Sequence, residues 1–207
     1  MLETKLAEGL SAMGLVLPGA AQAKLIAYLR LIEKWNRVHN LTAVREPEQM
    51  VVLHLLDSLT VLPHLAGKAT LLDVGTGAGL PGMPLAIARP EFAVTLLDSN
   101  HKKTTFLMQA KAELELSNVR VMSERVESWT PPDRFDAVVS RAFSELSDFV
   151  TLARHLVAPD GVMLAMKGVY PFDEIAKVPA SHRVENVLEL NVPSLDAKRH
   201  LVFLKAA

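Results

Sequence analysis

The stretch that most constrains this chain runs from Ala69 to Gly82, Ala-Thr-Leu-Leu-Asp-Val-Gly-Thr-Gly-Ala-Gly-Leu-Pro-Gly. Thr70, Leu71, Leu72 and Val74 form a short apolar run that reads as a buried strand, and the run passes at Gly75 into a glycine-rich turn. Gly75, Gly77 and Gly79 let the backbone take positive φ and approach a ligand closely, while Pro81 suits the first turn of a following helix. A plain tight strand-to-helix turn would leave three alternating glycines without a reason, because each weakens a helix or strand.

Two ligand classes fit the loop. Gly77-x-Gly79-x-x-Gly82 matches the dinucleotide fingerprint, so spacing alone does not choose. Asp73 tilts the choice: a carboxylate just before the turn repels a pyrophosphate and favours a cation. S-adenosylmethionine, with its amine and sulfonium, is the cationic nucleoside that fits. Asp98 stands at the end of the next strand, nineteen residues after Gly79. It can accept both hydroxyls of a ribose, a requirement shared by adenosylmethionine and NAD enzymes, or cap a helix before Asn100 and His101. Ser123-Glu124-Arg125-Val126-Glu127 follows the third strand, where an adenine edge is expected, with Val126 placed to pack on its face.

Strands are predicted at Phe92 to Leu97, Val119 to Met122, Phe135 to Val139 and Val162 to Lys167. Helices are predicted between them, at Pro81 to Ala88, Lys102 to Leu116 and Leu146 to Leu156. Such alternation implies a Rossmann-like α/β fold: a seven-stranded, mostly parallel sheet with right-handed crossovers and a ligand at the carboxyl ends of the strands. Val184 to Leu190 and His200 to Leu204, joined by a loop at Pro193-Ser194-Leu195-Asp196, suggest a final antiparallel hairpin at one edge. Residues 1–67 read as a helical cap on a domain spanning 68–207. One helix follows Pro18 and Gly19, with Leu25, Leu29, Ile32, Trp35 and Val38 on one face; another begins near Glu46-Pro47-Glu48 and turns Val51, Leu55, Leu59 and Leu62 inward. At 207 residues, half of them hydrophobic, the chain is long enough for such a domain with its appendage.

A formal net charge of -1 gives no global footprint for nucleic acid, so any such role needs a local basic patch. Cysteine is absent, which excludes disulfides, thiolate metal sites and alkylation of a pyrimidine carbon through a cysteine adduct. No metal site, membrane span or secretory leader is read, and a monomeric cytoplasmic protein is expected. His54, Asp57 and Ser58 share a helical face and superficially offer a hydrolase constellation. No nucleophile-elbow sequence accompanies them, so a polar face packed against the glycine loop is the expectation.

Trp35-Asn36-x-x-x-Asn40-Leu41-Thr42, His54-x-x-Asp57-Ser58, Asp73-Val-Gly-Thr-Gly-Ala-Gly-Leu-Pro-Gly82, Leu97-Asp98-Ser99, Ser140-Arg141-Ala142-Phe143, Lys167-Gly168 and Arg199-His200 together resemble the bacterial ribosomal RNA small subunit methyltransferase G family. The resemblance covers nearly the whole chain; the family often has proline where Ala78 stands, a difference expected to alter loop stiffness more than chemistry. It implies methylation of N7 of one guanine in a conserved loop of 16S ribosomal RNA, free or in the 30S subunit, with S-adenosylmethionine as cofactor. It further implies cofactor contacts at Gly75, Leu80, Val126, Glu127 and Arg141. Guanine N7 keeps an in-plane lone pair and needs no deprotonation, so no catalytic base is assigned and the mechanism is one of positioning.

Arg45, Lys102, Lys103, Arg125, Arg141, Lys167 and Arg199 fall near element ends on the cofactor side and could form the local RNA-binding patch, Lys167 and Arg141 being the best placed, with an ordinary solvated or salt-bridged role competing at each. Trp35 and Phe143 are the aromatics considered for stacking on RNA, with core packing as their competing role. Two rivals stay open at this point: a methyltransferase of the same fold acting on a small molecule or protein, and a nucleotide-binding module that performs no methyl transfer.

Overall fold

Parallel strands buried on both faces read as continuous aliphatic runs, and those runs build the centre of the molecule. The computed structural model describes residues 1–207. Its strands are β1 (Thr70–Val74), β2 (Ala93–Leu97), β3 (Val119–Met122), β4 (Phe135–Ser140), β5 (Val157–Lys167), β6 (His182–Leu190) and β7 (Arg199–Ala206). They form one sheet in the order β3-β2-β1-β4-β5-β7-β6. β1 to β5 pair in parallel, and β7 runs antiparallel to both β5 and β6, so the terminal hairpin lies at one edge as expected. The strand order reverses between β1 and β4, and a ligand crevice opens above the carboxyl ends at that point.

The helices are α1 (Leu2–Ala12), α2 (Gly19–His39), α3 (Pro47–Met50), α4 (Asp57–Leu59), α5 (Gly82–Ala88), α6 (His101–Glu113), α7 (Leu146–Ala153) and α8 (Phe172–Ile175). A six-residue π-helical stretch, Val51–Leu56, joins α3 to α4, so residues 47–59 form one rod with a wide turn in its middle. Such wide turns are frequent at functional sites, and this one carries His54.

Leu25, Leu29 and Ile32 on α2, and Val51, Leu55, Leu59 and Leu62 in the rod and the turn after it, are all buried. Burial of each such side chain stabilises the fold by about 1.5–3 kcal/mol. Val38 is a correction: it is 75 % exposed, because the last turn of α2 runs past the packed face. One apolar cluster of 44 residues joins the N-terminal helices to α5, α6 and one face of the sheet, while 14 residues pack the other face beneath α7. The N-terminal helices therefore share their core with the sheet.

Candidate functional site

Backbone geometry in the glycine loop follows from what surrounds it. Gly75 has φ +66° and Gly79 φ +97°. A methyl group on Gly75 would meet the Cβ of Ala142 at 2.6 Å, and one on Gly79 would meet Leu107 Cδ2 at 2.8 Å and the Tyr28 hydroxyl at 2.9 Å. Both positions thus require glycine for conformation and for space. Tyr28, from α2, is fully buried and donates its hydroxyl to the carbonyl of Ala78, holding the loop from outside. Burial, and then the nearby Asp73 carboxylate, raise its phenol well above the ordinary value, so it remains a donor. Sequence reasoning missed Tyr28; the available signal was a tyrosine set between Leu25 and Leu29 on an otherwise aliphatic face.

Asp73 corrects an expectation. It is completely buried and lines none of the cavities above the sheet. Its Oδ2 accepts hydrogen bonds from Thr76 Oγ1 at 2.7 Å and from the Gly82 amide at 2.8 Å, bracing the loop across its base. Oδ1 has no partner. Burial pushes the carboxyl up to about 7, against those two hydrogen bonds. Any effect on a bound cation is exerted through the loop and at a distance.

Three cavities lie in series over the crevice. The first, about 140 Å³, is lined by Gly75, Asp98, Ser99, Val126, Glu127 and Phe143, among others. The second, about 170 Å³, is lined by Leu41, Thr42, Gly75, Gly77, Leu80 and Arg141 and shares Gly75 with the first. The third, about 400 Å³, shares Thr42 and Arg141 with the second and is bounded further by His54, Asp57, Arg199 and His200. Asp98 Oδ2 accepts the Gly77 amide at 2.8 Å and Oδ1 the Asn100 amide at 2.9 Å. Asn100, not Asp98, caps α6, accepting from the amides of Lys102 and Lys103. Gly75, Gly77, Gly79, Leu80, Asp98, Val126, Glu127 and Arg141 thus converge around the first two cavities, Gly79 by shaping the turn beneath them.

The third cavity is organised by Asp57, whose carboxylate is almost fully buried. Its Oδ2 lies 3.3 Å from Arg141 Nη1, and its Oδ1 3.4 Å from Arg199 Nε. The rod, the end of β4 and the start of β7 meet at this one carboxylate. Burial raises the Asp57 carboxyl and the two guanidinium groups oppose that rise. His54 Nε2 is 3.0 Å from Thr42 Oγ1, and burial lowers its imidazole to about 4, so it is neutral. Buried Asn36 accepts the Thr42 amide at 3.0 Å, which fixes the loop carrying Thr42. His54 and Asp57 therefore face the third cavity, and the expected packing of this trio on the glycine loop is corrected to that extent.

The basic residues divide. Lys167 lines the third cavity, and its Nζ, 2.7 Å from Glu174, also donates to the carbonyls of Phe143 and Ser144, tying the loop after β4 to α8. Arg45 donates to the Asn36 carbonyl and to Asn40 Oδ1 at the end of α2. Arg125 pairs with Glu127 at 3.5 Å on the rim of the first cavity, whereas Lys102 and Lys103, at the start of α6, form no ion pair. Trp35 packs edge-on against Phe106, and Phe143 stacks on Phe149 while bounding the first cavity, so both are partly engaged in packing. The exposed aromatics are instead Tyr170 and Phe172.

Comparison with known proteins agrees with this geometry. A family model described as rRNA small subunit methyltransferase G matches residues 21–202. The chain is 56 % identical over 211 residues to the ribosomal RNA small subunit methyltransferase G of Nitrosospira multiformis, covering 99 % of this chain and 97 % of that one. It is 56 % identical over 198 residues to the protein of the same name from Chromobacterium violaceum, covering 96 % and 95 %. Among solved structures, a SAM-dependent methyltransferase from Thiobacillus denitrificans in complex with S-adenosyl-L-homocysteine superposes with a TM-score of 0.53 at 14 % identity, over 86 % of this chain and 97 % of that one. At that identity the likeness establishes the fold, a class I methyltransferase sheet.

Proposed function

This chain belongs to the rRNA small subunit methyltransferase G family, and from that premise we propose that it methylates N7 of one guanine in 16S ribosomal RNA, using S-adenosylmethionine. The observation that carries the reading is the series of three cavities, in which Gly75 links the first to the second and Arg141 the second to the third. The first two cavities lead at Arg141 to a space of about 400 Å³, within the range of small-ligand pockets.

The residues present fit the cofactor. A side chain at Gly77 would enter open space, so the backbone there is bare toward the second cavity. Asp98 retains carboxylate lone pairs for ribose hydroxyls beside the two amides it already accepts, and Val126 offers an aliphatic face to an adenine. Leu80, Thr42 and Arg141 bound the second cavity, where the amino-acid portion would lie. When bound, S-adenosylmethionine supplies an electrophilic methyl group on a sulfonium.

The chain's own contribution is alignment. Guanine N7 attacks with an in-plane lone pair, so no proton is removed before transfer, and neutral His54 is not needed as a base. Asp57 holds the guanidinium groups of Arg141 and Arg199 at the wall of the third cavity, where both are available to the phosphate or O6 acceptor of an incoming nucleotide. The chain offers no cluster of His, Asp and Glu able to hold a metal, and no helix is long and apolar enough to cross a membrane.

Labelled methyl transfer to 30S particles, naked 16S RNA and total cell protein tests the reading. Label is expected in RNA, at one guanine whose N7 methylation makes the strand cleavable by borohydride and aniline. Label in protein, or in RNA without that cleavage, would refute it. Titration with S-adenosylhomocysteine against NADH separates the nucleotide-module rival, which requires tight NADH binding.

A further inference from the structure

N7 methylation requires an unpaired guanine, presented in an open loop or splayed out of its stack. In an A-form helix the major groove that carries N7 is deep and narrow, so a paired guanine does not present N7 to a protein slot. Once the guanine is splayed out, the bases beside it lose a stacking partner, and the protein must replace it or bear the cost.

The only exposed aromatic side chains form one patch. Phe172 is 75 % exposed and Tyr170 37 %, with Val169 beside them at 75 %. Exposed apolar side chains gathered into one patch, unlike those scattered singly, call for a partner. The two rings lie 4.3 Å apart between centroids. Their segment leaves the carboxyl end of β5, the side of an open α/β sheet on which ligands bind. It is also joined to the third cavity. Tyr170 meets the ring of His200 edge-on at 5.6 Å, and His200 Nδ1 lies 2.7 Å from the Gly168 carbonyl. His200 and Gly168 both line that cavity.

Charge at the patch suits a polyanion on one side. Lys198 is exposed, and its carbonyl approaches within 4.0 Å of where a Gly168 side chain would begin. Arg199 follows it; the exposed acids nearby are Asp173, next to Phe172 in the chain, and Glu189, whose carboxylate is 4.0 Å from His200 Nε2. We propose that Tyr170 and Phe172 form a stacking platform for an unstacked nucleobase flanking the target guanine, with the RNA backbone passing over Lys198 and Arg199. This rests on the guanine-N7 reading above.

The test uses the full chain with S-adenosylhomocysteine and 16S RNA carrying 2-aminopurine on either side of the mapped guanine, free or assembled into 30S particles, whichever the wild type methylates. Wild type should quench one 2-aminopurine by stacking, and Phe172→Ala should not. Stacking on one aromatic ring predicts RNA binding weaker by about 5- to 150-fold in Phe172→Ala. Phe172→Tyr should restore binding and Phe172→Leu should not, while affinity for S-adenosylhomocysteine stays unchanged in all three. Wild-type RNA affinity in Phe172→Ala, or full rescue by leucine, would overturn the platform. Activity lost from Phe172→Ala with the 2-aminopurine signal unaltered would overturn it in favour of a protein partner. A wild-type reaction that yields no N7-methylguanine would instead sink the function assigned above, and is recognised without any variant.

Discussion

Cofactor binding near neutrality should release a proton from Asp73. The folded carboxyl sits at about 7 and its ordinary value is 3.8, with burial as the leading cause. The folded chain therefore holds more protons than the unfolded chain between those two values. Stability from this group is fully present below 3.8 and is lost as pH rises through 7, a swing of about 4 kcal/mol. A bound cation favours the carboxylate, lowers its pKa and expels what proton remains. At pH 7 about half of the Asp73 side chains are protonated, so binding should release up to about 0.5 proton per site.

Calorimetric titration with S-adenosylmethionine, whose sulfonium leaves it with a net positive charge, reads this directly. The apparent enthalpy in two buffers of different ionisation enthalpy gives the number of protons released. Asp73→Asn keeps the shape and an acceptor for Thr76 and Gly82 but has no proton to release. The buffer dependence seen for wild type should vanish in the variant, and its thermal midpoint should be flatter between pH 5 and pH 8. Buffer-independent wild-type binding at pH 7, or the same dependence in Asp73→Asn, would refute the account of a buried carboxylate coupled to the ligand through the loop.

Tyr28→Phe removes one hydroxyl and leaves the Ala78 carbonyl without its partner. Thermal unfolding should show a loss of about 1–3 kcal/mol, and S-adenosylhomocysteine should bind more weakly because the loop has lost its outer brace. Unchanged affinity would mean that the loop holds its shape without α2. Asp57→Asn and Arg199→Gln should couple in a double-mutant cycle by more than about 0.5 kcal/mol, since both act on one charge network, and strict additivity would dissolve the network.

How legible each residue was depended on how far its explanation lay along the chain. The glycine loop could be read because three close glycines and a preceding aliphatic strand carry their own reason within fourteen residues. The seven strands followed from the same local logic, with ends shifted by a few residues; β5, for example, begins at Val157 and not Val162. Asp73 was found but aimed wrongly. Alternation along β1 places Leu72 and Val74 on the face beneath α7 and Leu71 on the opposite face, so Asp73 shares its side with Leu71, under Gly82. Strand periodicity could have said so. For Lys167, closing a strand, the sequence could not name the ion-pair partner, because Glu174 lies on a four-residue helix that no periodicity reveals. Tyr28, fifty residues from Ala78, has no local signal for its task.

These misreadings share a cause that bears on how the N-terminal helices are understood. A cap suggests something laid over a finished site, yet α2 supplies Tyr28, the next loop Thr42, and the rod His54 and Asp57. Asp57 is the one contact at which that rod meets both Arg141, after β4, and Arg199, at β7. Removing it would leave two guanidinium groups facing each other across the third cavity without their shared anion, and partly buried like charges repel. The helices thus hold the sheet's own arginines in place, and the wide π turn is the device that brings His54 and Asp57 to the same wall. On this account the rod and the loop after α2 form part of the third cavity itself, and the large core common to helices and sheet is the packing consequence of building its wall from both.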